Sequence, residues 1–283
     1  MSIQYSFIAL ITILLCGVCS AEDYCFDCHS TQEGTSNTFK KDAHYAATFS
    51  CSDCHGGDPK INDMNLSKTA EKGFRLRVKR QEIPDFCGGC HSNAKFMATY
   101  PSKLPTNQLA IYQRSVHGRK LAAGKSAAAE CVDCHGIHDI AKSTDDASPV
   151  SAKNISATCG KCHPGSLDAL KAGPHGQVPK INCLTCHGSH NTQEARVSML
   201  TGEASTCTQC HKANSGQAKT AAQIADLLTQ LAKDESAEGK AALARARAVV
   251  HTFNVATIKH GAEANPAATE PSTATNPSTP KGP

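Results

Sequence analysis

The chain has 283 residues, of which 40% are hydrophobic but only 5% aromatic, with no Trp and a formal net charge of +4. Too few large apolar side chains are present for a conventional core along the whole length, so something else has to fill much of the interior. Sixteen cysteines show where that filling attaches.

Residues 1–21, MSIQYSFIALITILLCGVCSA, are expected to be a signal peptide. The apolar run from Phe7 to Val18 is short for a membrane span, and Cys19-Ser20-Ala21 has the small-residue character of a cleavage site. The positively charged start of such segments is missing here, which leaves an uncleaved anchor as the alternative.

Fourteen of the cysteines form seven CxxC pairs, and every pair is followed by His. They are Cys25/Cys28/His29, Cys51/Cys54/His55, Cys87/Cys90/His91, Cys131/Cys134/His135, Cys159/Cys162/His163, Cys183/Cys186/His187 and Cys207/Cys210/His211. With His near one residue in twenty, the chance odds of seven such coincidences are about one in a billion. CxxCH is the attachment site of c-type haem: two thiols bond the porphyrin and the His ligates iron. A disulfide scaffold gives no reason for the following His. Zinc ribbons use CxxC pairs two at a time and would leave one over. A redox CxxC occurs once in a strand–helix context that is absent here. Seven covalent haems c account for every cysteine after residue 21.

The motifs are closely spaced, so the expected fold class is mainly α with much irregular structure. Short helices and loops pack on haem faces, followed by a C-terminal helical hairpin. An internal repeat runs through the haem region. One unit reads CGGCH, His117-Gly118, CVDCHGIHD; another reads CGKCH, His175-Gly176, CLTCHGSHN. The first unit, CFDCH, His44, CSDCHGGD, is weaker, with Asp58 where the others offer His. Gly136 and Gly188 suit a positive φ or a close approach of backbone to porphyrin.

After Lys212 the pattern changes. Ile224, Leu227, Leu228 and Leu231 follow helical spacing. A second helical stretch from about Lys240 to His260 carries Leu243, Val250 and Phe253, with a break near Asp234–Gly239. The expected organisation is a signal peptide at 1–21, a haem-binding segment of three two-haem units plus a seventh haem at 22–212, a helical hairpin completing ligation at 213–262, and a disordered Pro/Thr-rich tail at 263–283.

Beyond the seven motif histidines, seven remain: His44, His117, His138, His175, His190, His251 and His260. That number matches one distal ligand per haem. The first unit is one ligand short and the tail has one to spare. His251 and His260 sit roughly 180° apart on a helix, so the expectation is that one serves the seventh haem and the other reaches back to the first unit. Met64, Met97 or a histidine from another subunit are rivals for the missing position.

The motifs and the HG…CxxCHGxH repeats resemble bacterial multihaem c-type cytochromes of the doubled-CxxCH kind. The resemblance implies export to the periplasm, low-potential bis-His haems, and relay of electrons in anaerobic respiration. It further implies a quinol-oxidising membrane complex as donor and a later redox acceptor. Haem propionates would turn the chain acidic, by about −7 for seven ferric haems, so a nucleic-acid partner is not expected. The basic run Lys68, Lys72, Arg75, Arg77, Lys79 and Arg80 suits propionate pairing, solvation or docking of an acidic partner. The alternatives are a reductase of a small nitrogen or sulfur oxyanion, which needs an open axial position, and a conduit subunit of a membrane or polymeric assembly. The expected role is electron carrier rather than enzyme.

Overall fold

The computed structural model describes residues 23–30, 35–101 and 103–264. The expected signal peptide lies outside the described residues, as does nearly all of the Pro/Thr-rich tail. The described residues form helices and irregular segments with no strand.

Capping chemistry explains the short elements that carry the motifs. Cys51–His55, Cys131–His135 and Cys183–His187 are five-residue helices built alike. Each starts with a capping box: Ser50 with Asp53, Glu130 with Asp133, and Asn182 with Thr185. These pairs satisfy the free N–H groups of the first turn from both sides. Each helix ends at a glycine, Gly56, Gly136 or Gly188, with φ of 67°, 84° and 75°. Left-handed backbone stops the helix at the motif His and turns the chain away. The other motifs differ. Cys87 and Cys90 close the nine-residue helix Ile83–His91, Cys159 ends Ile155–Gly160, Cys25 and Cys28 ride on Tyr24–His29, and Cys207 opens a single 3₁₀ turn, Cys207–Gln209.

The repeat read from the sequence is also a repeat of close contacts. A Cβ on Gly118 would lie 2.1 Å from the Tyr112 carbonyl oxygen, and one on Gly176 would lie 2.3 Å from the Leu170 carbonyl oxygen. In each unit the His-Gly pair is pressed against backbone six residues upstream, where only glycine fits.

The C-terminal part is a conventional helical packing of three helices, Gly216–Leu231, Ala237–Ala248 and Val255–Glu263. Ile224, Leu228, Ala246, Ile258 and Ala262 form their common core, flanked by Leu227, Leu231, Leu243, Val249 and Phe253. Ser215, Ser236 and Asn254 cap the three N-termini. The stretch from Lys240 to His260 is therefore two helices rather than one. It breaks at the turn Val250–Thr252, and Phe253 takes φ 49° before Asn254 caps the next helix. This break lies against the helix Pro164–Ala172: a Cβ on Gly173 would meet the His251 carbonyl oxygen at 2.5 Å.

Candidate functional site

The histidines come together in pairs. His91 faces His44 with ring centroids 5.9 Å apart, and His55 faces His138 at 5.9 Å. His163 faces His117 at 6.4 Å, and His135 faces His190 at 5.9 Å. His211 faces His175 at 6.1 Å, and His187 faces His251 at 6.0 Å. Every pair joins one motif histidine to one histidine outside the motifs.

The separation is informative. Aromatic pairs in general spread over about 4.5–7 Å. Two imidazoles on opposite sides of one metal ion place their ring centres about 6.3 Å apart, from metal–nitrogen bonds of about 2.0 Å and about 1.15 Å from nitrogen to ring centre. The six pairs cluster at that value. Among the described residues no three His, Cys, Asp or Glu side chains converge as a metal cluster, so donors are arranged two to a site with thiols alongside. That arrangement fits a planar iron porphyrin held by thioethers and does not fit a tetrahedral zinc cage.

The pairs follow a rule of two. His138, just after the fourth motif, faces the second, and His190, just after the sixth, faces the fourth. In the other direction His44 lies between the first and second motifs and faces the third. His117 lies between the third and fourth and faces the fifth, and His175 lies between the fifth and sixth and faces the seventh. Each unit thus exchanges histidines with its neighbours. The rule explains Asp58: a histidine there would point two motifs back, where this sequence has none. Asp58 instead accepts from Lys72 at 3.1 Å. His251 stands in for the Gly-x-His that an eighth motif would supply, and faces the sixth motif rather than the seventh. His260 is exposed on Val255–Glu263, and no ring in the described residues pairs with it. Met64 is 67% exposed and Met97 is buried.

The surroundings suit metal-ligating imidazole. Burial is the main cause that pushes His91, His117, His135, His138, His175, His187, His190 and His251 below the ordinary histidine range, towards the neutral form that carries a free lone pair. Nδ1 of His44 bonds the buried Asp42 carboxylate at 2.8 Å, and Nδ1 of His55 donates to the Arg75 carbonyl at 3.0 Å. Partners of this kind fix the ring and leave Nε2 for a metal. Asp42 also accepts from the backbone N–H of Ile140 at 2.7 Å. One buried carboxylate thereby ties His44 to the segment that carries His138.

Successive motifs are neighbours in space. Burial raises the pKa of Cys25, Cys54, Cys134 and Cys186, helped in the first three by the nearby carboxylates of Asp23, Asp53, and Asp133 with Glu130, and less strongly in all four by a thiol of the following motif: Cys51, Cys87 with Cys90, Cys162, and Cys207 with Cys210. Between the third and fourth motifs Cys87 and Cys131 share a hydrogen bond, which lowers the first and raises the second. Cys159 and Cys183 do the same between the fifth and sixth, raising Cys159 and lowering Cys183 to about 6. All seven sites therefore follow one another in chain order.

The basic run is engaged internally at several points. Arg80 donates to the Ser126 and Ala128 carbonyls, bridges to the fully buried Glu130 at 3.1 Å, and pairs with Asp133. It holds the capping box that starts the fourth motif. Lys79 pairs with Glu82 and Arg75 lies over the Phe86 ring. Lys68, the first residue of the run, which suits propionate pairing, solvation or docking, instead places its Nζ 3.2 Å from Nε2 of the motif histidine His29. Nothing in the sequence singled it out.

Residues 43–164 match the family model of cytochrome c3. The match takes in four of the seven motifs, from Cys51 to His163, with His44, His117 and His138. It supports a multihaem c-type cytochrome, in which haem c is covalently bound and serves electron transfer. No curated protein and no solved structure matches the chain.

Proposed function

We propose that this chain is an exported electron-transfer protein that relays electrons through seven covalently bound c-type haems in anaerobic respiration. The observation that carries the reading is the set of six histidine pairs at one metal-spanning distance, five of which join a motif to a histidine two motifs away while the sixth is closed by His251 of the C-terminal helices. Haem supplies one-electron chemistry at iron. The residues of this chain do the rest.

Paired neutral imidazoles favour low-spin iron in both oxidation states, so little geometry changes when an electron arrives or leaves. Burial favours the neutral form of His91, His117, His135, His138, His175, His187, His190 and His251, and the Asp42 and Arg75 contacts of His44 and His55 fix the orientation of those two rings. Thiols of successive motifs sense one another's charge, from Cys25 with Cys51 to Cys186 with Cys207, and such neighbouring sites suit stepwise electron transfer. Six histidine pairs, each of which would hold a bound iron from both sides, favour a carrier over a reductase. A quinol-oxidising membrane complex as donor and a second redox protein as acceptor fit this role. No described helix is long and apolar enough to cross a membrane.

Intact mass spectrometry of the mature protein tests the haem count, with the ferric optical and EPR spectra read on the same sample. Seven haems and a predominantly low-spin spectrum are expected. Fewer than seven haems, or high-spin iron at several sites, would contradict the proposal.

A further inference from the structure

We propose that Lys68 is the distal ligand of the haem held by Cys25 and Cys28, opposite His29. The inference rests on the reading above that this motif carries haem. The rule of two gives the first motif no histidine of this chain, because its donor would belong to a unit upstream of Cys25. In the position that a second imidazole takes at the other six sites stands the Lys68 amine, with Nζ 3.2 Å from Nε2 of His29. That bond is directed at the lone pair a motif histidine uses to hold iron.

Local structure brings Lys68 there. It follows the short helix Met64–Ser67, whose start is capped by Asp63 and whose end is closed by the Lys68 N–H donating to the Met64 carbonyl. The segment is fastened to the second motif by backbone bonds from Gly57 to Lys72, from Asp58 to Ser67 and from Arg75 to His55. Space there is limited, since a Cβ on Gly57 would meet the Ser67 carbonyl oxygen at 2.9 Å. Lys68 is half-buried, its Nζ lies 5.8 Å from the centre of the Phe74 ring, and its charge is felt by the Cys25 thiol. Amine, imidazole and attachment thiol therefore converge on one site.

The distance is compatible with ligation. Two nitrogens on opposite sides of one iron lie about 4 Å apart, so Nζ has to withdraw by about 0.8 Å. A stem with four rotatable methylenes accommodates this readily. Ligation releases one proton from the ammonium to solvent and gives the metal a neutral amine donor. The first site then differs from the other six, because an amine is a pure σ-donor.

The test uses the full holoprotein in its ferric state, with the haem count taken first. If the Cys25/Cys28 motif carries no haem, the seven-haem reading fails and the ligand question does not arise. With seven haems attached, wild type is expected to show no high-spin ferric iron. Lys68→Ala should convert about one-seventh of the iron to the high-spin form. Lys68→Arg should do the same, because guanidinium keeps the charge but has no lone pair to offer. Lys68→His should return all the iron to low spin. An unchanged low-spin spectrum in Lys68→Ala would overturn the proposal and assign the position to Met64 or to His260 of a second copy. One-seventh high-spin iron already present in wild type would overturn it as well, in favour of an open site. Retained low-spin spectra of the other six haems show that the variants are folded.

Discussion

The haem region and the C-terminal helices solve the same problem in opposite ways. Between residues 213 and 264 the buried apolar residues are Ala221, Ile224, Ala225, Leu228, Ala246, Ile258 and Ala262, all on three helices. Among the described residues of the far longer stretch from 23 to 212, the buried apolar side chains are Phe39, Pro84, Met97, Leu121, Ala128, Ile155 and Ala169. Its order comes instead from capping boxes, from Asp42 and Glu130 buried with partners, and from histidines reaching across units. A helix bundle needs a contiguous apolar stripe; a haem-packed chain needs ligands at the right places and short, well-terminated elements. The two regions meet at His251, which belongs to the bundle but faces His187.

The largest effect should come from withholding haem. In an apo chain, hydrogen exchange is expected to be fast through residues 35–212, while amides of Gly216–Leu231 and Ala237–Ala248 keep measurable protection. Equal protection in both regions would remove the distinction. Next in size is Ile258→Ala. It should cost about 2–5 kcal/mol by opening a cavity in the bundle core, whereas Leu76→Ala, at a side chain 73% exposed, should stay within about 0.5 kcal/mol. Denaturant midpoints of the two variants give the comparison. Gly118→Ala should follow, at about 1–3 kcal/mol, because its Cβ would lie 2.1 Å from the Tyr112 carbonyl oxygen. The smallest effect on stability but the most specific spectrally is His190→Ala. It should leave one haem, that of Cys131 and Cys134, without its distal imidazole, while Asp58→Ala leaves every spin state unchanged.

Much of this organisation was legible in the residues. The CxxCH motifs supplied one histidine of each pair, the internal repeat grouped His117, His138, His175 and His190 as a set, and the period of Ile224, Leu227, Leu228 and Leu231 marked the first bundle helix. The partners were harder to read, because a ligand belongs to whichever motif folding brings opposite it. His138 adjoins the fourth motif in sequence yet faces the second. Asp58 read as a lost ligand, although the rule of two leaves it no motif to face. After Lys240 the sequence pattern suggests a single helical stretch, since nothing local announces that Phe253 takes φ 49° and the chain turns beside His251. Lys68 stood in a run of basic residues, and only its approach to His29 separates it from them.

The most direct test of the account is a haem-resolved experimental structure of the mature protein, read for which residue stands across each iron. The result expected is His138, His44, His190, His117, His251 and His175 opposite the second to seventh haems in that order. Distal histidines drawn from a haem's own two-motif unit would contradict it.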